Sequence, residues 1–226
     1  RYMSVYFNDF LKRDFIKKLA KKINFKKAAP WPDSSLGGDT VWLGATDKYG
    51  NTVSFIQSIY WEFGSGVVLD ETGITWQNRG MSFSLDDQHH NVLKPYRRPF
   101  HTIQPALASL SDGRTMVYGT MGGEGQPQTQ AMVFNRYVTH GHELQKAVTS
   151  PRWLLGRTWG SMTNAIRIEN RFDQRVYEEL RSMGHDLKLI GEFDEIMGHA
   201  GALVHHPSGL IEGACDPRSD GFVSAF

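Results

Sequence analysis

The chain has 226 residues, enough for one domain with a real core, and its net charge of +1 gives no overall electrostatic footprint for nucleic acid. A single cysteine, Cys215, excludes an intramolecular disulfide framework and offers no cysteine-based zinc cluster. No run of about 18 apolar residues exists, so no membrane-spanning helix is expected, and 23 glycines point to tight turns rather than helical bundles.

The net charge hides an asymmetry. Through Asp39 the chain holds nine Lys or Arg and four Asp, a segment charge of +5, which leaves −4 for the remainder. This basic stretch places Phe15, Ile16, Leu19 and Ile23 roughly on one helical face. It reads as a solvated surface helix with a few core contacts, since no aromatic or arginine-rich pattern supports nucleic-acid readout. Ala28 to Asp39 (Ala-Ala-Pro-Trp-Pro-Asp-Ser-Ser-Leu-Gly-Gly-Asp) is a loop or linker by its Pro, Ser and Gly density. An exposed linker suits a processing site.

From Thr40 the pattern becomes that of an α/β body. Strands are expected at 40–47, 52–60, 66–69, 115–120, 201–206 and 210–214, several separated by Gly-turns such as Lys48-Tyr49-Gly50-Asn51. Helices are expected at 126–140, 142–150 and 173–184, the last with Asp173 as N-cap and Gly184 at its end. His89-His90 and His205-His206 are adjacent pairs on different sides of a strand, without ligand-spaced acids or cysteines, so no metal is expected. Asp216-Pro217-Arg218 reads as a structural ion-pair turn and Cys215 as packing.

The residue with most chemistry to offer is Thr40, directly after Gly37-Gly38-Asp39 at the head of the first hairpin. A threonine hydroxyl is a poor nucleophile until a base takes its proton. Cleavage between Asp39 and Thr40 would release the threonine's own α-amine, which titrates near pH ~7.7–8 and can be that base.

From Asp39 to Phe226 the sequence resembles the small subunit of the γ-glutamyltransferase superfamily of N-terminal-nucleophile hydrolases. The resemblance rests on ordered blocks: the Thr40 hairpin, Phe63-Gly64-Ser65-Gly66, Trp76-Gln77-Asn78-Arg79-Gly80, Arg98-Pro99-Phe100-His101-Thr102, the run from Gly119 to Gln128, and Asp216-Pro217-Arg218-Ser219. It implies an α+β fold, a four-layer αββα sandwich completed by an upstream large subunit. It divides the chain into 1–39, the precursor tail with the processing site, and 40–226, the catalytic small subunit. It implies self-cleavage at Asp39–Thr40, Thr40 as nucleophile of an acyl-enzyme, and Gly122 and Gly123 as oxyanion-hole glycines whose two adjacent N–H groups meet the developing charge. Ser58 falls where a second hydroxyl holds the nucleophile's amine. No cofactor is implied. The partners implied are the large subunit and a small-molecule amide, with a dimer of heterodimers as an assembly to consider. Arg1 opens the chain in place of methionine, so the compartment, cytoplasm or periplasm, stays open.

The departures from the family pattern bear on the substrate. The acid that holds an α-ammonium in γ-glutamyl transferases corresponds to Ser82. The glutamine beside Asn78 corresponds to Arg79, the serine pair that contacts the α-carboxylate to His101-Thr102, and the second-strand asparagine to Tyr60. A pocket without the ammonium-binding acid and with a guanidinium favours a substrate with a carboxylate and no ammonium. Bulky Trp42, Tyr60 and Trp61 suggest a small pocket, hence oxamate over a glutaryl amide. The alternatives are a γ-glutamyltransferase or glutathione hydrolase, a glutaryl-type acylase, and a non-catalytic family member.

Overall fold

The computed structural model describes residues 8–28, 39–156 and 163–226. Most of the expected linker, over 29–38, lies outside the described residues, as does the side chain of Asp39. In chain order the helices are α1 (Asn8–Leu11), α2 (Arg13–Ala20), α3 (Gln126–Phe134), α4 (Leu144–Thr149) and α5 (Gln174–Ser182). The strands are β1 (Asp39–Thr46), β2 (Thr52–Tyr60), β3 (Val68–Leu69), β4 (Ile74–Thr75), β5 (Ala106–Ser109), β6 (Thr115–Gly119), β7 (Trp153–Leu155), β8 (Ile166–Glu169), β9 (Leu187–Ile190), β10 (Gly201–His205) and β11 (Ile211–Cys215).

β1 and β2 form an antiparallel hairpin. Its turn is built by Asp47, whose Oδ1 accepts from the amides of Tyr49 and Asn51, both at 2.9 Å, and by Gly50 at φ 85°. A side-chain acceptor and a left-handed glycine are what a tight turn requires. Strand alternation puts Trp42 and Gly44 on one face and Val41, Leu43 and Ala45 on the other.

The Trp42 face lies on a second antiparallel sheet of order β11-β10-β6-β5. The indole fills a slot lined by Gly44, Gly119 and Gly201, where a β-carbon on any of the three would be driven into the ring. Its Nε1 donates to Ser54 Oγ at 3.0 Å. Trp42 therefore pins the hairpin onto the sheet and does not narrow a substrate pocket, as its bulk had suggested.

The opposite face of that sheet carries the main core. Met116, Ala202, Val204 and Ala214 pack against Val133, Tyr137, Leu144, Ala147 and Val148 of the helical layer. The described chain thus stacks two β layers under one α layer. A smaller sheet, β7-β8-β9, buries Ile166 and Ile168 against Tyr177 of α5. The hairpin's outer face has no such cover: Val41, Leu43, Val53 and Phe55 are each about half exposed.

Several elements depart from expectation. The helix expected over 126–140 is α-helical only to Phe134 and continues as a π-helical turn, Asn135–Thr139. The 66–69 strand shrinks to β3, paired with β4. β4, β5 and β7–β9 were not anticipated. β8 reads Ile-Arg-Ile-Glu, and all four residues are buried, so its polar positions give a false period-two signal. α5 matches closely: Asp173 Oδ1 accepts from Arg175 N at 2.9 Å, and Gly184 takes φ 87° just past the end. α2 buries no residue, so the expected core contacts of the basic segment are absent there.

Candidate active site

Thr40 is only 8 % exposed, at the end of β1. The hairpin register pairs Val41 with Gln57 and Asp39 with Tyr60, so Ser58 and Ile59 together oppose the single residue Thr40. Such a bulge bends the strand and re-aims a side chain, and bulges recur beside active sites. Thr40 lies on the same side of β1 as Trp42. That side faces β6 and β10, from whose ends the glycine loops described next emerge. Ser58 Oγ accepts from Tyr60 N at 3.0 Å. Tyr60 itself takes φ 83°, left-handed and unusual for an aromatic residue. Strain of this kind persists only where the surroundings over-determine it, and it clusters at functional sites.

Beyond β6 the chain enters Thr120–Gly125. Gly122 takes φ 115° and Gly123 φ 52°, both on the side of backbone space that glycine alone tolerates well. Gly123–Gly125 form a short 3₁₀ turn that runs straight into α3. This is a strand-to-helix loop with consecutive main-chain N–H groups free of side-chain cover, a suitable cradle for an oxyanion. The loop is braced from behind. Thr120, fully buried, donates to Met121 O at 2.8 Å. Gly198 (φ 81°) packs so closely that a β-carbon there would stand 2.5 Å from Thr120 Oγ1 and 2.8 Å from Met121 O.

Gly198 is in turn held by charge. Arg152 Nη1 donates to Gly198 O (2.9 Å) and Met197 O (3.2 Å), and its Nη2 lies 2.6 Å from Asp216 Oδ2. Asp216 Oδ1 meets Arg218 Nη1 at 2.9 Å, and Arg218 reaches Glu169 through two short bonds, Nε to Oε1 at 2.7 Å and Nη2 to Oε2 at 2.6 Å. All four side chains are buried. Burial pushes the Arg152 guanidinium down to about 10, against the pull of Asp216. Arg218 suffers the same burial, yet its bonds to Glu169 and Asp216 raise it above the ordinary arginine value. The sequence showed the Asp216–Arg218 turn but not Arg152 or Glu169.

The second cluster surrounds Arg79. Asn78 N donates to Ile59 O at 3.2 Å, and Asn78 Oδ1 accepts from Trp61 N at 3.0 Å, so the loop after β2 and the Asn78-Arg79 segment are stitched together. Arg79 is 4 % exposed. Its Nη1 donates to Thr102 Oγ1 at 3.2 Å, and its guanidinium carbon stands 5.3 Å from the Tyr60 ring centroid. Among the described residues its buried Nη2 has no hydrogen-bond partner, and neither do Ser82 Oγ and Trp61 Nε1. No ion pair of Arg79 with a carboxylate occurs among the described residues. Burial depresses the guanidinium, partly offset by Tyr60. His101, more exposed, is held below the usual imidazole value by burial first and then by Arg79 and Arg98.

Arg79, Tyr60, Asn78 and Thr102 are therefore brought together, and Tyr60 pairs across the hairpin with Asp39, the residue before Thr40. Ser82 belongs to the 3₁₀ turn that starts at Arg79. Gln104, Gln126 and Gln130, which tie this cluster to α3, were missed, because no local spacing marks a side chain that grips a distant main chain.

The first histidine pair stands differently from expectation. His89 and His90 stack at 4.2 Å in a turn, so they do not point apart across a strand. Among the described residues no group of three or more His, Cys, Asp or Glu is placed to hold a metal ion, and no described helix is long and apolar enough to cross a membrane. Cys215 is half-buried, and burial raises its thiol.

Comparison with known proteins adds an independent line. The family model described as gamma-glutamyltranspeptidase matches residues 1–226. The oxamate amidohydrolase proenzyme of Klebsiella pneumoniae is 53% identical over 226 residues, covering 100% of this chain and 43% of that protein. The glutathione hydrolase-like YwrD proenzyme of Bacillus subtilis is 43% identical over 93% of this chain and 40% of its own length. Among solved structures, a cephalosporin acylase from Bacillus halodurans superposes with a TM-score of 0.80 at 32% identity, covering 99% of this chain and 40% of that one. This chain thus spans about two-fifths of the length of these relatives. Fold, loop geometry and family match agree: the chain belongs to the gamma-glutamyltranspeptidase family.

Proposed function

We propose that this chain is the catalytic portion of a self-processed amidohydrolase that hydrolyses small amides bearing a carboxylate, oxamate or a close homologue, by way of an acyl-enzyme on Thr40. Cleavage of Asp39–Thr40 frees the threonine amine. That amine takes the proton of Oγ as Oγ attacks the amide carbon, and the N–H groups of Gly122 and Gly123 meet the oxyanion. The amine then hands its proton to the departing ammonia, and water releases the acid. Ser58, opposite Thr40 across the hairpin, holds the amine.

The observation that carries the substrate class is Arg79, a buried guanidinium that has one nitrogen without a partner and no carboxylate ion pair among the described residues. An unpaired buried charge is costly unless a ligand completes it. A carboxylate does so bidentately, with Asn78, Tyr60, Ser82, His101 and Thr102 as its surroundings. A γ-glutamyl group would bring an ammonium to the same positive cluster and be repelled. The 53% identity to a protein named for oxamate supports the same choice.

The test uses the full-length precursor after maturation. Oxamate, a glutaryl amide and a γ-glutamyl anilide are compared at equal concentration, and Arg79→Met is measured beside the natural protein. Oxamate is expected to be preferred, and Arg79→Met to lose about 10²–10³-fold in kcat/KM on it, as for a buried charge-assisted contact of roughly 3–4 kcal/mol. Preference for the γ-glutamyl anilide would reject the reading.

The upstream part of the precursor completes the sandwich. Its occupancy of the hairpin's outer face is supported by the exposed Val41, Leu43, Val53 and Phe55 and by the chain's share of its relatives' length. Leu43→Glu with Phe55→Lys, which oppose each other in the register, is expected to prevent association of the matured subunits in gel filtration. Undiminished association would move the partner to another face.

A further inference from the structure

The carboxylate clamp and the oxyanion loop lie far apart in sequence but share one mount. Residues 97–105, which carry His101 and Thr102, have no regular secondary structure. Such a segment is held only by what grips it. Gln104 N donates to Gln126 Oε1 at 3.1 Å, and Gln104 O accepts from Gln130 Nε2 at 2.6 Å. Gln126 and Gln130 are one helical turn apart on α3, so both point from the same face. Together they hold both main-chain polar groups of a single residue, as a neighbouring strand would.

Two residues before Gln104, Thr102 accepts the hydrogen bond from Arg79. At the other end, Gln126 is the first residue of α3, and α3 follows directly on Gly122–Gly125. Gln126 is fully buried, and its Nε2 has no hydrogen-bond partner among the described residues. An unmatched buried donor is a cost, and here it is sustained by a side chain whose oxygen anchors the clamp segment. The chain of contacts runs from Arg79 through Thr102 and Gln104 to Gln126, and so to the oxyanion glycines.

We infer that Gln126 and Gln130 are positioning residues that set the distance between the carboxylate clamp and the oxyanion glycines, so that α3 is a ruler selecting acid-amides by chain length. This rests on the assignment of Arg79 and Gly122–Gly123 made above. With both ends fixed to one helix turn, one extra methylene moves the reacting carbonyl out of line. Ångström-scale misplacement costs about 10²-fold in rate.

The experiment measures kcat and KM of the matured full-length protein on oxamate, malonamate and succinamate, with acetamide as an amide that has no carboxylate. The natural protein is expected to favour one length by about tenfold or more per methylene. Gln126→Met and Gln130→Met are each expected to flatten that profile, mostly through kcat on the favoured substrate, and to lower acetamide turnover far less. Equal loss on every substrate, acetamide included, would make these glutamines mere supports of the fold and overturn the ruler. An unchanged length profile would overturn it as well. If the natural protein turns over acetamide as well as the acid-amides, the clamp itself is wrong, a failure distinct from that of the ruler. Should Gln126→Met not mature, Gln130→Met carries the test, because Gln130 is only partly buried.

Discussion

Replacing Thr40 with alanine is expected to leave the full-length precursor uncut between Asp39 and Thr40 and to abolish amide hydrolysis, with a loss on the order of 10⁶-fold, as for removal of a nucleophile that acts in concert with its base. The reasoning is one of proton traffic. In the uncut chain the nitrogen of Thr40 is an amide and accepts no proton, so the hydroxyl has no base of its own. Removing the hydroxyl removes both the attack that would free the amine and the later attack on substrate. Thr40→Ser retains a hydroxyl and is expected to be cut and active at a reduced rate. Intact-mass measurement of the purified protein separates the cases: one mass for Thr40→Ala, two for Thr40→Ser. Cleavage of Thr40→Ala at the same bond would show that the hydroxyl does not drive it. The structure supports the expectation through burial and register. Thr40 is buried opposite the Ser58–Ile59 bulge, where the strand is bent beside it.

Local pattern made some parts of the molecule legible in the sequence. The β1–β2 hairpin was readable because alternation and turn chemistry coincide: Val41, Leu43, Val53 and Phe55 alternate with inward residues, and Asp47 and Gly50 close the turn. α5 was readable because its cap and its terminating glycine are local signals. β8 was not, since Arg167 and Glu169 are buried there by partners elsewhere in the chain. The site divides the same way. Gly122 and Gly123 announce themselves as adjacent glycines before a helix. That Arg79 is buried and incompletely paired could be learned only from the fold. The grip of Gln126 and Gln130 on Gln104 spans more than twenty residues, and a single sequence carries no spacing rule for it.

The largest effect on stability is expected at Asp216. Its carboxylate is fully enclosed between Arg152 and Arg218 and also accepts from Ala200 N at 2.7 Å. Asp216→Ala strips two buried guanidinium groups of a shared counter-charge, and breaking a buried pair in this way costs about 3–5 kcal/mol. Arg152→Met is expected to cost a similar amount, because it leaves Asp216 short of one partner and removes a donor from the carbonyls of Met197 and Gly198. The double variant is expected to lose much less than the sum, since the second change removes a charge that the first had already orphaned. Urea unfolding of the matured protein and its three variants gives the cycle directly, and additive losses would mean that the two residues act independently. Activity supplies a second readout. Gly198 packs on Thr120 and Met121, the residues that lead into Gly122. Loss of the Arg152 grip is therefore expected to loosen the loop proposed to hold the oxyanion and lower kcat more than it changes KM, in variants still folded at the assay temperature. A change confined to KM would place the effect on the Arg79 side and break the link from the buried charges to Gly122 and Gly123.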